Sequence, residues 1–265
     1  MSNPDSRRLR LWQGRIETEV EISGRGAPLV YFHGPWGLAP ERGFVARLAE
    51  SHTVLAPKFP GTSHGDPNAV HELADWHDLT VYHGELFDAL ELKAPAVIGA
   101  SFGGLVAAEV AAAAPHAVGR LVLIDPVGLW RDDLPVTNWM LVSHKLRPAT
   151  FFANPESEAA KRFFFVPSEP NQRVDTLSQF TWAQACTGKF VWPLADRGLS
   201  KRIHRIAAPS LILWGAADRI IVPAYAEEFA RRIKNARVAT IDAAGHLPHL
   251  EQTDQVVELM REFLG

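Results

Sequence analysis

The amino-acid sequence predicts an α/β fold in which a mostly parallel sheet is wrapped by helices. Three observations lead to this prediction. Short, almost wholly apolar runs recur along the chain, and segments with helical spacing of apolar residues lie between them. Strands that alternate with helices and are buried on both faces are typical of an open parallel sheet. The third observation is one stretch, residues 127–200, in which no strand pattern occurs.

The strand predictions begin at residues 16–22, where apolar and threonine side chains alternate with glutamates. This period of two predicts a strand with one face in water. The later runs are continuous and apolar, as expected for strands that are covered on both faces. These runs are residues 29–32, 53–56, 96–98, 121–124, 211–214 and 238–241.

Four segments are predicted to be helices. Residues 72–90 carry apolar side chains at roughly helical spacing, and residues 105–114 are rich in alanine, which favours helix intrinsically. Residues 223–233 and 253–264 are amphipathic. Pro223 stands where the first turn of a helix tolerates a proline.

The strandless residues 127–200 contain 11 of the 25 aromatic residues of the chain. A loop of this length without structure of its own is not expected in a compact domain. We therefore predict a helical cap, residues 127–200, inserted in a core that is formed by residues 1–126 and 201–265. The aromatic side chains indicate an apolar pocket under the cap. The run Phe163-Phe164-Phe165 would serve equally well as the core of the cap itself.

Composition narrows the class of protein. Hydrophobic residues make up 47% and charged residues 22% of the 265 residues, as in globular proteins. A formal net charge of −3 gives no basic surface for nucleic acid or an anionic membrane, so neither is an expected partner. Cys186 is the only cysteine, which excludes an intramolecular disulfide and fits a reducing compartment. The first ten residues are polar and the longest nearly apolar stretch, residues 103–115, is too short to span a bilayer. We therefore expect a soluble cytoplasmic protein without a secretory signal.

The sequence Gly99-Ala100-Ser101-Phe102-Gly103 joins a predicted strand directly to the alanine-rich helix. A nucleophile elbow needs this context, because its serine adopts a strained backbone and its crossing leaves no room for side chains at Gly99 and Gly103. The positive end of the following helix also points at the place where an oxyanion would form. The alternative is a glycine-rich helix start that only packs on a sheet. We predict that Ser101 is a nucleophile.

A serine hydroxyl needs a general base, which in turn needs an orienting carboxylate. The predicted base is His246, which follows the last strand at the carboxyl edge of the sheet, where parallel sheets place their sites. His249 is expected to pack or to face solvent. The predicted carboxylate is Asp218, which follows the preceding strand. Asp125, at the end of another strand, is its competitor, and its expected role is to shape the entrance below the cap.

The sequence His33-Gly34-Pro35-Trp36-Gly37 follows an early strand. It is either a plain turn rich in glycine and proline or a loop that supplies an N–H group to an oxyanion hole.

Together these motifs resemble the α/β-hydrolase superfamily, in the order His33-Gly34, Gly99 to Gly103, Trp214 to Asp218, and Gly245-His246. The resemblance covers the whole chain except the cap. It implies that the backbone N–H groups of Phe102 and of one residue in the His33 loop bind the oxyanion. Members of this superfamily generally use the residue directly after His-Gly, which here is Pro35 and has no N–H group. We therefore predict that Trp36 is the donor.

The sequence lacks the motifs of several other enzyme classes. No phosphate-binding loop occurs, and Gly24-Arg25-Gly26 lacks the third glycine of a dinucleotide fingerprint. No H-E-x-x-H pattern or cysteine and histidine ligand set occurs, so neither a cofactor nor a metal is expected. Haloalkane dehalogenases and epoxide hydrolases of similar fold carry an aspartate at the elbow, and Ser101 argues against both.

The expected activity is cleavage of a small or medium hydrophobic carboxylic ester by two-step acyl transfer. One alternative is hydrolysis of a carbon–carbon bond in ring-cleavage products, which similar capped relatives perform. Those relatives usually carry a glycine-rich His-Gly loop and an aromatic residue after the catalytic histidine, where this chain has Pro35 and Leu247. A second alternative is a ligand-binding protein with low turnover. The sequence indicates no oligomeric state.

Overall fold

A computed structural model describes residues 5–62, 66–193 and 195–265. Within these residues, eight strands form one sheet in the order β1-β2-β4-β3-β5-β6-β7-β8. The pairs β1·β2 and β2·β4 are antiparallel and all later neighbours are parallel. The strands are β1 Asp5–Leu11, β2 Ile16–Ser23, β3 Ala27–Phe32, β4 His52–Pro57, β5 Ala96–Ala100, β6 Arg120–Ile124, β7 Ser210–Gly215 and β8 Ala236–Ile241.

Helices cover both faces of this sheet, which confirms the predicted fold class. They are α1 Arg42–Leu48, α2 Trp76–Ala89, α3 Phe102–Ala113, α4 Arg147–Phe151, α5 Glu158–Phe163, α6 Pro170–Val191, α7 Leu199–Arg202, α8 Ala224–Arg232, α9 Pro248–Glu251 and α10 Thr253–Leu264. Within the described ranges, no helix is both long and apolar enough to cross a membrane.

The central strands show why the apolar runs are continuous. In β6, Leu121 and Leu123 pack in the core on one face of the sheet, whereas Val122 and Ile124 pack in the core on the other face. All four side chains are fully buried. Because successive side chains point to opposite faces, a strand that is covered on both sides must be apolar at every position.

Strand β1 is a difference from the sequence prediction. The chain enters the sheet through an edge strand in which Leu9 and Leu11 are buried while the intervening Arg10 is exposed. Two of its exposed arginines, Arg8 and Arg10, lie opposite glutamates of β2, and Arg8 Nη1 reaches Glu17 Oε1 at 3.4 Å. A run with so few apolar residues gives only a weak prediction of a strand. Its backbone pairing with β2 stabilises it in the extended conformation.

Helix α2 begins later than the helix predicted from residue 72. Asp75 caps it, and its Oδ1 accepts hydrogen bonds from the N–H groups of His77 at 2.8 Å and Asp78 at 3.1 Å. Residues 69–72 form a separate 3₁₀ turn. A strong N-cap therefore decides where the α-helix starts.

Between β6 and β7 the described residues contain helices α4 to α7 and no strand. Side chains tie this segment to the core: Trp182 Nε1 donates to Gly61 O at 2.9 Å, and Trp76 Nε1 donates to Phe190 O at 2.6 Å. The segment thus contacts the loop that follows β4 and the start of α2. The boundaries 127 and 200 of the cap stay a prediction.

Candidate active site

Ser101 lies between β5 and α3 in a strained conformation, with φ 53° and ψ −114°. A non-glycine residue with positive φ is uncommon and is tolerated only where its surroundings fix it. Here the N–H of Ser101 donates to Ile124 O at 2.9 Å, and Ser101 O accepts from the N–H groups of Leu105 and Val127, each at 3.2 Å. The adjoining strand and helix therefore fix the strained turn.

The two glycines of the elbow are required by close contacts between backbones. A Cβ atom on Gly99 would collide with the carbonyl of Gly103 and lie 2.7 Å from Gly104 N. A Cβ atom on Gly103 would collide with the carbonyl of Phe32, at the end of β3. Any side chain at these positions would push the elbow away from the sheet.

The structure brings the other two predicted residues to Ser101. His246 Nε2 lies 2.9 Å from Ser101 Oγ, and His246 Nδ1 lies 2.8 Å from Asp218 Oδ2. All three residues are buried. Asp218 Oδ1 accepts from the N–H groups of Ile220 at 2.7 Å and Ile221 at 3.0 Å, which leaves Oδ2 for the histidine. In this arrangement the Nδ1–H group of the imidazole donates a hydrogen bond to Asp218, and Nε2 accepts one from the serine hydroxyl.

The loop that carries His246 is held by backbone contacts. The N–H of His246 donates to Phe151 O at 2.8 Å, and a Cβ on Gly245 would approach the same carbonyl at 2.5 Å. Glu251 Oε2 accepts from Gly245 N at 2.6 Å while its Oε1 accepts from Ala153 N at 3.0 Å. Glu251 therefore links the histidine loop to the residues after α4.

Asp125, the competing carboxylate, is fully buried at the end of β6. Its Oδ1 accepts from Gly215 N at 3.0 Å, whereas its Oδ2 has no hydrogen-bond donor among the described residues. The prediction that it shapes an entrance below the cap was wrong, because a fully buried side chain beside Asp218 lines no entrance. Burial, reinforced by the charge of Asp218, raises the pKa of Asp125 well above its usual range. Its neutral form is therefore favoured.

The His33 loop leaves few N–H groups for an oxyanion. Gly34 N donates to Glu41 at 3.2 Å to Oε1 and 3.3 Å to Oε2, and Gly37 N donates to Gly34 O at 3.3 Å. Pro35 has no N–H group. Within the described residues the backbone N–H groups of Trp36 and Phe102 have no acceptor. These are the two donors that the sequence predicts.

Both ring nitrogens of His33 form hydrogen bonds to backbone groups of nearby loops. Its Nδ1 donates to Gly34 O at 2.7 Å and its Nε2 accepts from Phe59 N at 3.1 Å. Burial lowers the pKa of His33 below its usual value. Its neutral ring therefore connects two loops through hydrogen bonds at both nitrogens.

Sequence reasoning missed two carboxylates, Glu41 and Glu251. Both accept backbone N–H groups from loops that carry site residues. Neither lies in a motif, and a glutamate near the start of a helix usually faces water. His249 packs, as expected: it is fully buried and its Nε2 lies 3.7 Å from Glu41 Oε1.

One group of three described residues offers oxygen and nitrogen atoms within 4.8 Å of one another, as a metal site would. These residues are Asp125, Asp218 and His246. The 2.8 Å separation of His246 Nδ1 and Asp218 Oδ2 is that of a direct hydrogen bond. The geometry therefore fits a proton-transfer site better than a set of metal ligands.

A cavity of about 630 Å³ lies beside the site. Aromatic side chains from both the core and the cap line it, among them Trp36, Phe163, Phe165, Phe180 and Trp182. None of the three hydrogen-bonded residues lines it. The Trp36 ring lies between the cavity and His246, since the centroid of the ring is 5.2 Å from that of Phe163 and 6.3 Å from that of His246.

Comparison with known proteins agrees with this geometry. Residues 29–259 match the model of the Alpha/beta hydrolase family. A pimeloyl-[acyl-carrier protein] methyl ester esterase of Methylococcus capsulatus is 30% identical over 93% of this chain and 98% of its own. A 2-hydroxy-6-oxo-2,4-heptadienoate hydrolase of Pseudomonas putida is 26% identical over 95% of this chain and 94% of its own. An esterase of Exiguobacterium antarcticum has the same fold, with a TM-score of 0.76 at 21% identity over 98% of this chain and 99% of its own.

Proposed function

The chain belongs to the alpha/beta hydrolase family, and we propose that it is a serine hydrolase of small or medium hydrophobic carboxylic esters. One observation carries this proposal. Ser101, His246 and Asp218 form a continuous hydrogen-bonded chain of 2.9 and 2.8 Å at the carboxyl edge of the sheet. A hydroxyl, an imidazole and a carboxylate in this geometry constitute the machinery of acyl transfer.

In the first step His246 Nε2 takes the proton of Ser101 while the Ser101 oxygen attacks the ester carbonyl carbon. The negative charge moves to the carbonyl oxygen, where the N–H groups of Phe102 and Trp36 are the proposed donors. Asp218 stabilises the imidazolium that forms. The imidazolium then protonates the leaving alkoxide, and an acyl-serine remains.

In the second step water takes the place of the alcohol. His246 removes a proton from the water as it attacks the acyl carbon, and the same oxyanion donors bind the charge again. The C–O bond to Ser101 breaks, the serine oxygen takes the proton back from His246, and the carboxylic acid leaves. No cofactor is required by this sequence of steps.

The cavity supports a hydrophobic substrate. Its aromatic wall combines core and cap residues, and pockets of this size with largely apolar walls suit small hydrophobic ligands. The basic residues Arg42, Lys58 and Arg162 also line it. We propose that residues 127–200 act as the cap over this pocket. Ser101 is 1% exposed and Trp36 packs against Phe151 and Phe163. We therefore propose that these two phenylalanines move away from Trp36 before an ester in the cavity reaches Ser101.

Hydrolysis of a carbon–carbon bond is the second candidate. The Pseudomonas putida relative, whose name gives a heptadienoate as substrate, favours it. Pro35 and the fully buried Leu247 disfavour it, because they stand where such enzymes usually carry a glycine and an aromatic residue. The methyl ester esterase relative favours the ester.

A fluorophosphonate probe tests the nucleophile directly. We expect one covalent adduct, located on Ser101 by mass spectrometry, in the wild type and none in Ser101→Ala. Turnover of p-nitrophenyl esters from acetate to decanoate, compared with a ring-cleavage dienoate, then distinguishes the two reactions. A folded wild type that the probe does not label would sink the enzyme proposal in favour of a ligand-binding protein.

A further inference from the structure

Glu41 is a fully buried carboxylate that lies just before α1 and outside the hydrogen-bonded chain of Ser101. A buried carboxylate is costly unless hydrogen bonds or an opposite charge compensate for the loss of water. Glu41 therefore requires hydrogen-bond donors that compensate for its burial.

Three donors converge on Glu41. Trp36 Nε1 lies 2.5 Å from Oε1, Tyr31 Oη lies 2.7 Å from Oε2, and the N–H of Gly34 lies 3.2 Å from Oε1. His249 Nε2 lies at ion-pair distance, 3.7 Å from Oε1. Two of the donors belong to the His33 loop, so one side chain holds this loop at two points.

These two bonds fold the loop back on itself. The Trp36 indole lies directly on Gly34, where a Cβ would be 2.5 Å from Trp36 Cε2 and 3.0 Å from Glu41 Oε1. The indole and the Gly34 amide therefore reach the same carboxylate from the two sides of Pro35. This closed arrangement fixes the backbone between them, which includes the N–H of Trp36.

We infer that Glu41 is a positioning residue, which holds the His33 loop in the shape that directs the Trp36 N–H at the developing oxyanion. The inference rests on the proposed function. Glu41 binds the Gly34 N–H and so withdraws it from the site. It also anchors the indole of Trp36, whose backbone N–H has no acceptor among the described residues. It thereby compensates for Pro35, which occupies the usual donor position without an N–H group.

The ionisation state of Glu41 agrees with this role. Burial by itself raises the pKa of Glu41, but the nearby imidazoles of His249 and His33 and the hydrogen bond from Tyr31 outweigh it, and the pKa lies below its usual value. The ionised carboxylate accepts at both oxygens, whereas a glutamine would offer one oxygen and turn its NH₂ group towards a donor.

Glu41→Gln therefore tests the role with little change of volume. We expect kcat to fall about 10- to 100-fold with KM changed less than twofold, because an oxyanion donor acts mainly in the transition state. Binding of a phenylboronic acid, which forms a tetrahedral adduct with the nucleophilic serine, should weaken by a similar factor.

The matched control is Glu109→Gln. Glu109 is also buried and holds Arg202 through two hydrogen bonds of 2.6 and 2.9 Å; among the described residues it forms no hydrogen bond to the His33 loop. We expect this variant to lose thermal stability and to keep kcat. Since Glu41→Gln could fail to fold, Trp36→Phe is the second variant: it keeps the backbone N–H, removes the bond to Glu41 and should also lower kcat and boronate affinity.

Unchanged kcat in folded Glu41→Gln, or in Trp36→Phe if the former does not fold, overturns the inference and leaves the proposed function intact. An equal loss of kcat in Glu109→Gln also overturns it, because the effect would then be one of general stability. A wild type that neither reacts with the fluorophosphonate nor cleaves an ester overturns both proposals.

Discussion

Asp125 and Asp218 offer carboxylate oxygens within 4.8 Å of each other beneath His246, but they bind different partners. Asp218 Oδ2 lies 2.8 Å from His246 Nδ1, whereas Asp125 Oδ1 accepts from Gly215 N at 3.0 Å. The two acids lie at the ends of neighbouring strands, and like charges this close disfavour double ionisation. Asp218 is thus the hydrogen-bond partner of the histidine, while the raised pKa of Asp125 favours its neutral form.

Replacing each acid in turn distinguishes their roles. Asp218→Asn should lower kcat by about 10³- to 10⁴-fold, because the amide cannot hold the imidazole in the productive tautomer. Asp125→Asn should lower kcat less than about tenfold, since the amide oxygen still accepts from Gly215. Steady-state rates on a p-nitrophenyl ester, normalised to active-site titration, give the comparison. The reverse order of the two effects would show that the acid is Asp125.

Asp125→Asn should also change how stability depends on pH. Because the pKa of Asp125 is raised in the folded state, the folded protein binds more protons than the unfolded chain above the ordinary value of 3.8. Stability contributed by this group is therefore present at low pH and is lost as pH rises through the folded pKa. Urea unfolding from pH 4 upwards should show a gain for Asp125→Asn over wild type that grows with pH. A constant difference at all pH values would contradict this account.

His83 should make the fold sensitive to acid. Its ring is buried, with its centroid 5.1 Å from that of the Phe32 ring, and its Nδ1 donates to Leu79 O at 2.7 Å. Burial lowers the pKa of His83 from 6.5 to about 4. The unfolded chain therefore binds more protons between these values, so stability is full above pH 6.5 and falls as pH drops towards 4. The loss is on the order of 3 kcal/mol.

Denaturant unfolding between pH 4 and 7 measures this effect. His83→Leu should flatten the acid side of the stability curve, although it loses the bond to Leu79 O. His204→Gln changes an exposed histidine and is the control; it should leave the curve as in wild type. An equally steep acid side in His83→Leu would assign the acid sensitivity to other groups.

Gly99→Ala should strongly destabilise or prevent folding. The new Cβ would collide with backbone atoms of Gly103 and Gly104, and no flexible side chain is available to move. Gly84→Ala, in the exposed middle of α2, is the matched control because its Cβ would meet nothing within 4 Å. It should stabilise the protein by about 1 kcal/mol through helix propensity. Thermal unfolding of both variants checks the prediction, and a Tm for Gly99→Ala close to wild type would contradict it.

The sheet could be predicted because a continuous apolar run indicates a strand that is buried on both faces. Every apolar run that was predicted to be a strand is a strand of the sheet, with ends within a few residues of the prediction. Strand β1 was not predicted, since Leu9 and Leu11 are too few to establish a pattern among exposed arginines. The start of α2 was misplaced because Asp75 caps the helix at a position that periodicity does not mark.

By itself the sequence determined the fold class and pointed to Ser101 and His246, with Asp218 and its competitor Asp125 as partners for the histidine, because local patterns fix where parallel strands end and parallel strands end at one edge. It also showed that Pro35 has no N–H group to offer the proposed oxyanion site. Only the tertiary structure decided which of Asp125 and Asp218 reaches His246, and that Glu41 binds both Gly34 and Trp36. Those contacts join residues whose burial and direction depend on the packing of several elements at once, and no local pattern encodes that packing.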